Sequence, residues 1–165
     1  MNSKLFFIVA VFLMTAFIAC NSNVQPKTNE NIINESPFDK KWAKDFIDSI
    51  NTEFSEQIAA GDTIVVASHY WPDAELLLDN SEPIKGGGII NVWASLVKMG
   101  VKGMKFNTTD IAGSLPYIIE TGTYEMKDEK KSVLDRGKYV VIWERRNNEW
   151  KLYRDIGCTS LPAAK

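Results

Sequence analysis

The chain has 165 residues, of which 45% are hydrophobic, and it carries 19 Lys and Arg against 21 Asp and Glu. This slightly acidic balance, without a long basic run, excludes a nucleic-acid-binding surface and favours small molecules or other proteins as partners. With one histidine and two cysteines, the chain lacks the ligands of an ordinary zinc site, so we expect neither a metal nor a cofactor. Its length indicates one folded domain.

The first 19 residues have the three-part layout of a secretory signal peptide. Lys4 supplies the positive charge, residues 5–18 form the apolar run, and the small Ala19 ends the segment. The run is shorter than the roughly 20 residues of a transmembrane helix, and no later apolar stretch is longer. We therefore expect export and no transmembrane helix.

The last three residues of the signal peptide, Phe17, Ile18 and Ala19, together with Cys20 resemble the bacterial lipobox. In that motif a small residue precedes a cysteine that receives a diacylglycerol and, after cleavage, becomes the first residue of the mature protein. Phe17 departs from the motif, which prefers Leu there. The resemblance implies a bacterial lipoprotein held in the envelope by acyl chains such as palmitate. An ordinary signal peptide with an incidental cysteine is the alternative.

Residues 20–36 are interpreted as the lipidated cysteine and a flexible tether, because the segment is rich in Asn and has few large apolar residues to pack. By resemblance to lipoproteins with Asn rather than Asp after the cysteine, Asn21 indicates the outer membrane, facing the periplasm. A disulfide would suit an exported protein, but lipid on Cys20 leaves Cys158 without a partner. We interpret Cys158 as a small buried hydrophobic residue.

Residues 37–161 are predicted to form the folded domain, which opens with a long helix over residues 37–60. Ser36 is the expected cap of this helix, and Gly61 is expected to end it. Its apolar residues recur every four positions and form one broad stripe. They are Phe38, Trp42, Phe46, Ile50, Phe54 and Ile58.

Two shorter helices are predicted after the long one. Asp62 caps the first, which runs through residue 70. Residues 89–99 form the second, because their apolar residues also recur at helical spacing. Between the two, residues 76–78 are predicted to form a short strand.

From residue 101 onward the pattern is typical of strands. Asn147 and Asn148 are predicted to form a tight hairpin turn between the last two. Helices followed by an antiparallel sheet indicate an α+β domain. The predicted strands cover residues 101–111, 117–127, 138–146 and 149–159.

Six short stretches occur in a characteristic order between residues 38 and 160. They are Ala60-Gly61-Asp62, Tyr70-Trp71-Pro72-Asp73-Ala74, Ile84-Lys85-Gly86, Gly122-Thr123-Tyr124, Gly137-Lys138-Tyr139 and Trp150-Lys151-Leu152-Tyr153-Arg154-Asp155. Together they resemble the nuclear transport factor 2-like (NTF2-like) superfamily, and within it the uncharacterised SnoaL-like domains. Those domains often carry a polar or aromatic residue where this chain has Gly157.

The resemblance implies a cone-shaped α+β fold, in which N-terminal helices pack on a curved antiparallel sheet and enclose an apolar pocket. A pocket of that kind is the usual form of a small-molecule site. The superfamily also includes ketosteroid isomerases, but their catalytic positions fall on Phe54, Leu78 and Val140. We therefore do not expect steroid isomerase activity.

The hairpin turn determines which side chains of the last two strands share a face, because strand residues alternate. One face combines Tyr139, Val141, Trp143 and Arg145 with Trp150, Leu152, Arg154 and Ile156. The other combines Val140, Ile142 and Glu144 with Lys151, Tyr153 and Asp155. By resemblance to the isomerases we assign the second face to the pocket, which makes Val140, Ile142, Tyr153 and Asp155 pocket residues.

Asp155 would then be a carboxylate in an apolar cavity, where a raised pKa would suit it to proton transfer. The alternatives are an ion pair with a neighbour such as Lys138, or exposure to solvent. Glu120 is a second candidate catalytic carboxylate, provided that its face of the sheet, shared with Tyr124, turns inward. Ordinary surface exposure is the alternative for Glu120.

Tyr70, Trp93 and Tyr124 are the remaining candidates for the pocket wall, although core packing explains large aromatic residues equally well. The opposite face, with Tyr139, Trp143 and Trp150, is a candidate homodimer interface, since aromatic residues are enriched at interfaces.

Three functions remain open. The leading hypothesis is a membrane-anchored exported domain that binds a small apolar or amphipathic ligand in a cone-shaped pocket. The second is an acid–base enzyme of the isomerase, cyclase or dehydratase type that uses Asp155. The third is a dimeric protein-interaction adaptor.

Overall fold

The computed structural model describes residues 38–162, which form three α-helices, a short 3-10 helix (Gly86–Gly88) and one six-stranded sheet. The helices are α1 (Lys40–Ala60), α2 (Thr63–Ser68) and α3 (Ile89–Lys98). The strands are β1 (Tyr70–Leu78), β2 (Ile84–Lys85), β3 (Gly103–Ser114), β4 (Tyr117–Lys127), β5 (Val133–Arg146) and β6 (Glu149–Thr159). The predicted signal peptide, Cys20 and the tether lie outside the described residues. No helix within residues 38–162 is long and apolar enough to span a membrane.

Helix α1 begins three residues later than predicted. Asp39 is its cap, because the Asp39 carboxylate accepts a hydrogen bond of 2.9 Å from the backbone N–H of Trp42. The expected cap, Ser36, lies outside the described residues. Gly61 ends the helix as predicted, in the left-handed conformation with φ of 76° that glycine adopts without strain.

Strand β1 is longer than predicted and begins where a helix was expected. Helix α2 ends at Ser68, and Tyr70 is already the first residue of β1. The pairing of β1 with β6 shifts register between Tyr70 and Glu75. Pro72 lies in that interval, and a proline without an N–H cannot complete the ladder of a sheet. Proline therefore interrupts the regular pairing of this strand without ending the strand.

The sheet has the strand order β2-β1-β6-β5-β4-β3 and is curved but not closed. Its neighbouring strands are antiparallel, as predicted, except that β1 runs parallel to β6. A parallel pair requires a long crossover connection, which β2, α3 and the other strands provide. The sheet is therefore mixed rather than antiparallel throughout. The turn at Asn147 and Asn148 is confirmed, and both residues have positive φ, as its type requires.

One face of the sheet, which we call the inner face, is covered by α1. Ile118, Tyr139, Trp143 and Leu152 are at most 6% exposed on this face. Phe46 of α1 contacts Trp143 edge to face, with ring centroids 5.6 Å apart. The apolar stripe of α1 thus packs against the face of the sheet that carries the large aromatic residues of β5.

A β-bulge in β6 alters the predicted alternation of its side chains. Trp143 pairs with Leu152, but Val141 pairs with Asp155, so that Tyr153 is an extra residue in the ladder. An extra residue in a strand moves the side chains of all later residues to the opposite face of the sheet. Asp155 consequently shares the inner face with Val141 and Trp143, whereas Tyr153 lies outside.

Glu120 of β4 is a completely buried carboxylate on the inner face. Its Oε1 accepts hydrogen bonds from Asn51 of α1 (3.0 Å), Thr108 of β3 (2.7 Å) and Tyr139 of β5 (2.6 Å). Its Oε2 accepts one from the indole N–H of Trp143 (3.0 Å). Four donors match the roughly four acceptor positions of a carboxylate. Glu120 therefore joins α1 to three strands of the sheet.

Glycine at position 122 allows this network to form. A Cβ atom there would lie 2.5 Å from the Cζ and hydroxyl oxygen of Tyr139. The Tyr139 ring can therefore cross β4 and reach Glu120 only because residue 122 has no side chain.

Replacing Glu120 with Ala should destabilise the domain severely. The substitution leaves four donors without their acceptor in a dry interior, and we expect a loss of roughly 3–5 kcal/mol in the free energy of unfolding. Urea unfolding followed by tryptophan fluorescence measures it. Glu125→Ala is the matched control, because Glu125 lies on the same strand but faces solvent and pairs with Lys127. Similar losses in both variants would contradict the structural role of Glu120.

Candidate functional site

A cavity of about 70 Å³ lies between the inner face of the sheet and helices α1 and α3. We call it the inner cavity. It is well above the ~10–15 Å³ that one water molecule needs. No lysine, arginine or histidine lines it, and most of its wall is apolar. The aromatic residues of its wall are Phe54, Tyr70, Trp93, Phe106, Tyr124, Tyr139 and Trp143.

A larger, more open groove of about 460 Å³ adjoins the inner cavity, and we call it the outer groove. Six residues line both: Leu76, Leu78, Trp93, Tyr124, Met126 and Gly157. Val92 and Leu96 of α3 form one side of the outer groove together with Met99, which directly follows α3, and Leu134 of β5 lies on the other. Met99 is 69% exposed. The inner cavity therefore borders an apolar groove that is open to solvent.

Three polar groups meet at the inner cavity, and we call them the polar cluster: Tyr70, Trp93 and Asp155. The Tyr70 hydroxyl donates a hydrogen bond of 2.6 Å to Oδ2 of Asp155. Within residues 38–162 no other side chain donates to Asp155, so its Oδ1 is without a partner. The Trp93 indole N–H, which is buried, has no hydrogen-bond partner there either.

Different elements bring these three residues together. Tyr70 is the first residue of β1, Trp93 lies in the middle of α3, and Asp155 faces inward because of the bulge at Tyr153. Phe54 of α1 supports Trp93 from the side, with ring centroids 5.0 Å apart in an edge-to-face contact. The cluster thus depends on the packing of α1 and α3 against the sheet.

Burial in this apolar setting raises the pKa of Asp155 to about 6, and the negative charge of Glu120 adds to the rise, while the Tyr70 hydrogen bond opposes it. Burial also raises the pKa of Tyr70 well above its ordinary value, and the neighbouring Asp155 charge contributes. Near neutral pH the Asp155 carboxyl therefore exchanges its proton readily, whereas Tyr70 stays protonated. A group of this kind can donate a proton or accept one.

The structure places four of the predicted site residues on the wall of the inner cavity: Tyr70, Trp93, Tyr124 and Asp155. Glu120 lies inside the core behind Tyr139 and Trp143, which both donate to it. Glu120 also accepts from Asn51 and Thr108 and has no exposed surface, so it is not available to a ligand.

The placement of Val140, Ile142 and Tyr153 on the pocket wall was wrong. The hairpin register predicted that they share a face with Asp155, but the bulge at Tyr153 separates them, and they lie on the outer face. Val141 lines the inner cavity in their place. Its alternation with two large aromatic residues, Tyr139 and Trp143, was the signal that could have identified the inward face.

The candidate dimer interface was also misplaced. Tyr139 and Trp143 are buried beneath α1, and Trp150 packs against Trp42 and Phe46 of that helix, with ring centroids 6.1 and 6.5 Å away. The first helix covers this face because its own apolar stripe is complementary to it. Homodimer formation itself stays a prediction. Cys158, expected to be buried, is a free cysteine of intermediate exposure.

Solved structures share this arrangement of helices and sheet. An NTF2-like protein with a cystatin-like fold from Novosphingobium aromaticivorans matches with a TM-score of 0.62 at 11% identity, over 73% of this chain and 84% of that one. An NTF2-like protein of unknown function from Shewanella oneidensis matches with 0.57 at 19% identity, over 70% and 98%. A ketosteroid isomerase-like protein from Erwinia carotovora atroseptica matches with 0.54 at 15% identity, over 64% and 87%.

The fold is therefore NTF2-like, and the α+β class predicted from the sequence is confirmed. No protein-family model and no curated protein matches the sequence. At these identities the likeness extends to the fold and not to the activity.

Replacing Asp155 with Asn should change how stability depends on pH. The pKa of Asp155 rises from an ordinary 3.8 to about 6 on folding. The contribution of this carboxyl to the free energy of unfolding is therefore fully present below pH 3.8 and is lost as the pH rises through 6. Relative to the variant, the unaltered chain should lose roughly 3 kcal/mol of unfolding free energy between about pH 3 and pH 8.

Urea unfolding at a series of pH values measures this difference. Asp48→Asn is the control, because Asp48 is an exposed carboxylate paired with Lys44 on the surface of α1. Its profile should run parallel to that of the unaltered chain. If the Asp155→Asn variant and the unaltered chain also depend on pH in the same way, Asp155 is not held in an apolar setting.

Proposed function

We propose that this NTF2-like domain is a membrane-anchored, exported binding protein for a small, mainly apolar molecule that carries one polar group. The observation that carries the proposal is the inner cavity, whose wall is mostly apolar and holds the three convergent groups of the polar cluster. A concave, mostly apolar site with a few convergent polar groups is the usual form of a small-molecule site. The outer groove would admit the ligand past Met99 and Leu134.

The proposed anchor is a diacylglycerol on Cys20. The support for it is the order of charge, apolar run, small residue and cysteine at the N-terminus. Residues between Cys20 and Phe38 would then link the acyl chains to the domain, and the acyl chains would supply the membrane affinity.

Asp155 supports a second candidate function, acid–base catalysis on the bound molecule. A partly buried carboxyl whose pKa is about 6 is suited to moving a proton at neutral pH. Oδ1 of Asp155, which has no partner, is the atom that would do so. If a bound molecule is converted, Asp155→Asn should stop its conversion without weakening its binding or lowering the urea midpoint.

Binding can be tested with the mature chain, residues 20–165, made without lipid and titrated with ethylbenzene. Met99, Met104 and Met126 are its only methionines, and Met104 and Met126 line the inner cavity. Their methyl NMR signals should therefore shift on binding. Gly157→Val should weaken binding at least about tenfold, because the added side chain would stand where the inner cavity meets the outer groove.

Gly103→Val is the matched control for this experiment. A Cβ atom at Gly103 would meet no atom within 4 Å, and residue 103 does not line the inner cavity. Its affinity for ethylbenzene should equal that of the unaltered chain. The proposal fails if ethylbenzene leaves the methyl signals of Met104 and Met126 unmoved, or if Gly157→Val binds as tightly as the unaltered chain.

The anchor can be tested with the full precursor in bacterial cells fed an alkyne analogue of palmitate. The unaltered chain should take up the label and sediment with membranes, whereas Cys20→Ala should do neither. Cys158→Ala, which removes the other cysteine, should behave like the unaltered chain. Label on Cys20→Ala, or none on the unaltered chain, would contradict lipidation at Cys20.

A further inference from the structure

The indole N–H of Trp93 is an exception among the buried polar groups of this domain. Trp93 is only 6% exposed, yet its Nε1 atom has no hydrogen-bond partner within residues 38–162. No other buried side-chain nitrogen or oxygen in that part of the chain is unpaired. Buried polar groups in folded proteins are normally satisfied, so an exception requires an explanation.

Other aromatic side chains of the domain have hydrogen-bond partners for their N–H or O–H groups. The indole N–H of Trp143 donates to Glu120, and that of Trp71 donates to the backbone carbonyl of Glu144 at 2.9 Å. The hydroxyl of Tyr124 donates to Asp135 at 2.8 Å. Trp143 and Tyr124 also line the inner cavity, so the lack of a partner is specific to Trp93 and is not a general property of the wall.

The Trp93 N–H lies near the Tyr70 hydroxyl of the polar cluster. The N–H lies close enough to the Tyr70 oxygen to oppose the rise in the pKa of Tyr70, but it forms no hydrogen bond of acceptable geometry. Tyr70 has already donated its own proton to Asp155. A donor without an acceptor thus stands beside a carboxyl whose Oδ1 is without a partner.

The charges around the inner cavity limit what the ligand can be. No basic residue lines the cavity, and Asp155 and the nearby Glu120 would both repel an anion. An ammonium group has only donors, so it would leave the Trp93 N–H unsatisfied. A neutral oxygen can accept from Trp93: a hydroxyl can at the same time donate to the ionised Asp155 carboxylate, and a carbonyl oxygen can accept from Asp155 when that carboxyl is protonated.

We propose that the Trp93 indole N–H donates a hydrogen bond to the oxygen of a neutral carbonyl or hydroxyl compound, whose apolar body extends from the inner cavity into the outer groove. The inference rests on the proposed function and adds to it the class of ligand. Trp93 is in this view the residue that distinguishes such a compound from a hydrocarbon of the same shape, and Asp155 excludes carboxylic acids in their ionised form.

Three probes of similar size test this inference on the unlipidated mature chain at pH 7: acetophenone, ethylbenzene and benzoate. The methyl signals of Met104 and Met126 report binding. We expect acetophenone to bind about five- to tenfold more tightly than ethylbenzene, which corresponds to one neutral hydrogen bond. Benzoate should bind more weakly than either.

Trp93→Phe keeps an aromatic ring against Phe54 but removes the donor. The variant should bind acetophenone and ethylbenzene with equal affinity. Its urea midpoint should not fall below that of the unaltered chain beyond the small change expected for a smaller ring, since the lost N–H had no partner to lose. In the unaltered chain the indole N–H NMR signal of Trp93 should move downfield with acetophenone and stay in place with ethylbenzene, which tests the inference even if the variant does not fold.

The outcomes separate this inference from the proposed function. If ethylbenzene binds in the inner cavity but acetophenone binds no more tightly, or if the preference survives Trp93→Phe, the role of Trp93 is overturned and the binding function stands. If benzoate binds most tightly, the exclusion of anions is overturned. If no probe shifts the methionine signals, both the inference and the proposed function are overturned.

Discussion

The hydrogen-bonded carboxylate of Glu120 is the interaction on which the rest of the domain depends. It lies at zero exposure and accepts from α1, β3 and two residues of β5. A carboxylate can be buried at such a depth only if its acceptor positions are filled. The sheet must therefore curve enough to bring Thr108 and Tyr139 to the same oxygen, and α1 must lie where Asn51 reaches it. The inner cavity is the space that remains beside this network.

Irregularities in two strands place the polar groups Asp155 and Tyr70 at the inner cavity. The bulge at Tyr153 turns Asp155 inward, and the interrupted pairing around Pro72 lets Tyr70 at the start of β1 reach the Asp155 carboxyl. The charge of Glu120 contributes to the raised pKa of Asp155. The same carboxylate that holds the domain together thus also favours the neutral form of the carboxyl in the cavity, which suits a neutral ligand.

Local patterns predicted much of this structure. The apolar stripe of α1 and the turn at Asn147 and Asn148 depend on residues close in sequence, and both were predicted. The bulge at Tyr153 was not, because an extra residue in a strand is stabilised by the neighbouring strands rather than by its own sequence. Asp155 was assigned to the pocket from a register that lacked the bulge. The unpaired N–H of Trp93 depends on the packing of α3 against the sheet, which no spacing reveals.

The most direct measurement is the pH titration of the Asp155 carboxyl carbon by NMR in the unlipidated mature chain, with and without acetophenone. We predict an inflection near pH 6 in the free chain. With acetophenone bound, the inflection should move to higher pH, because a neutral molecule that replaces water in the cavity further disfavours the charged form. An inflection near the ordinary 3.8, unchanged by acetophenone, would contradict an apolar ligand site around Asp155.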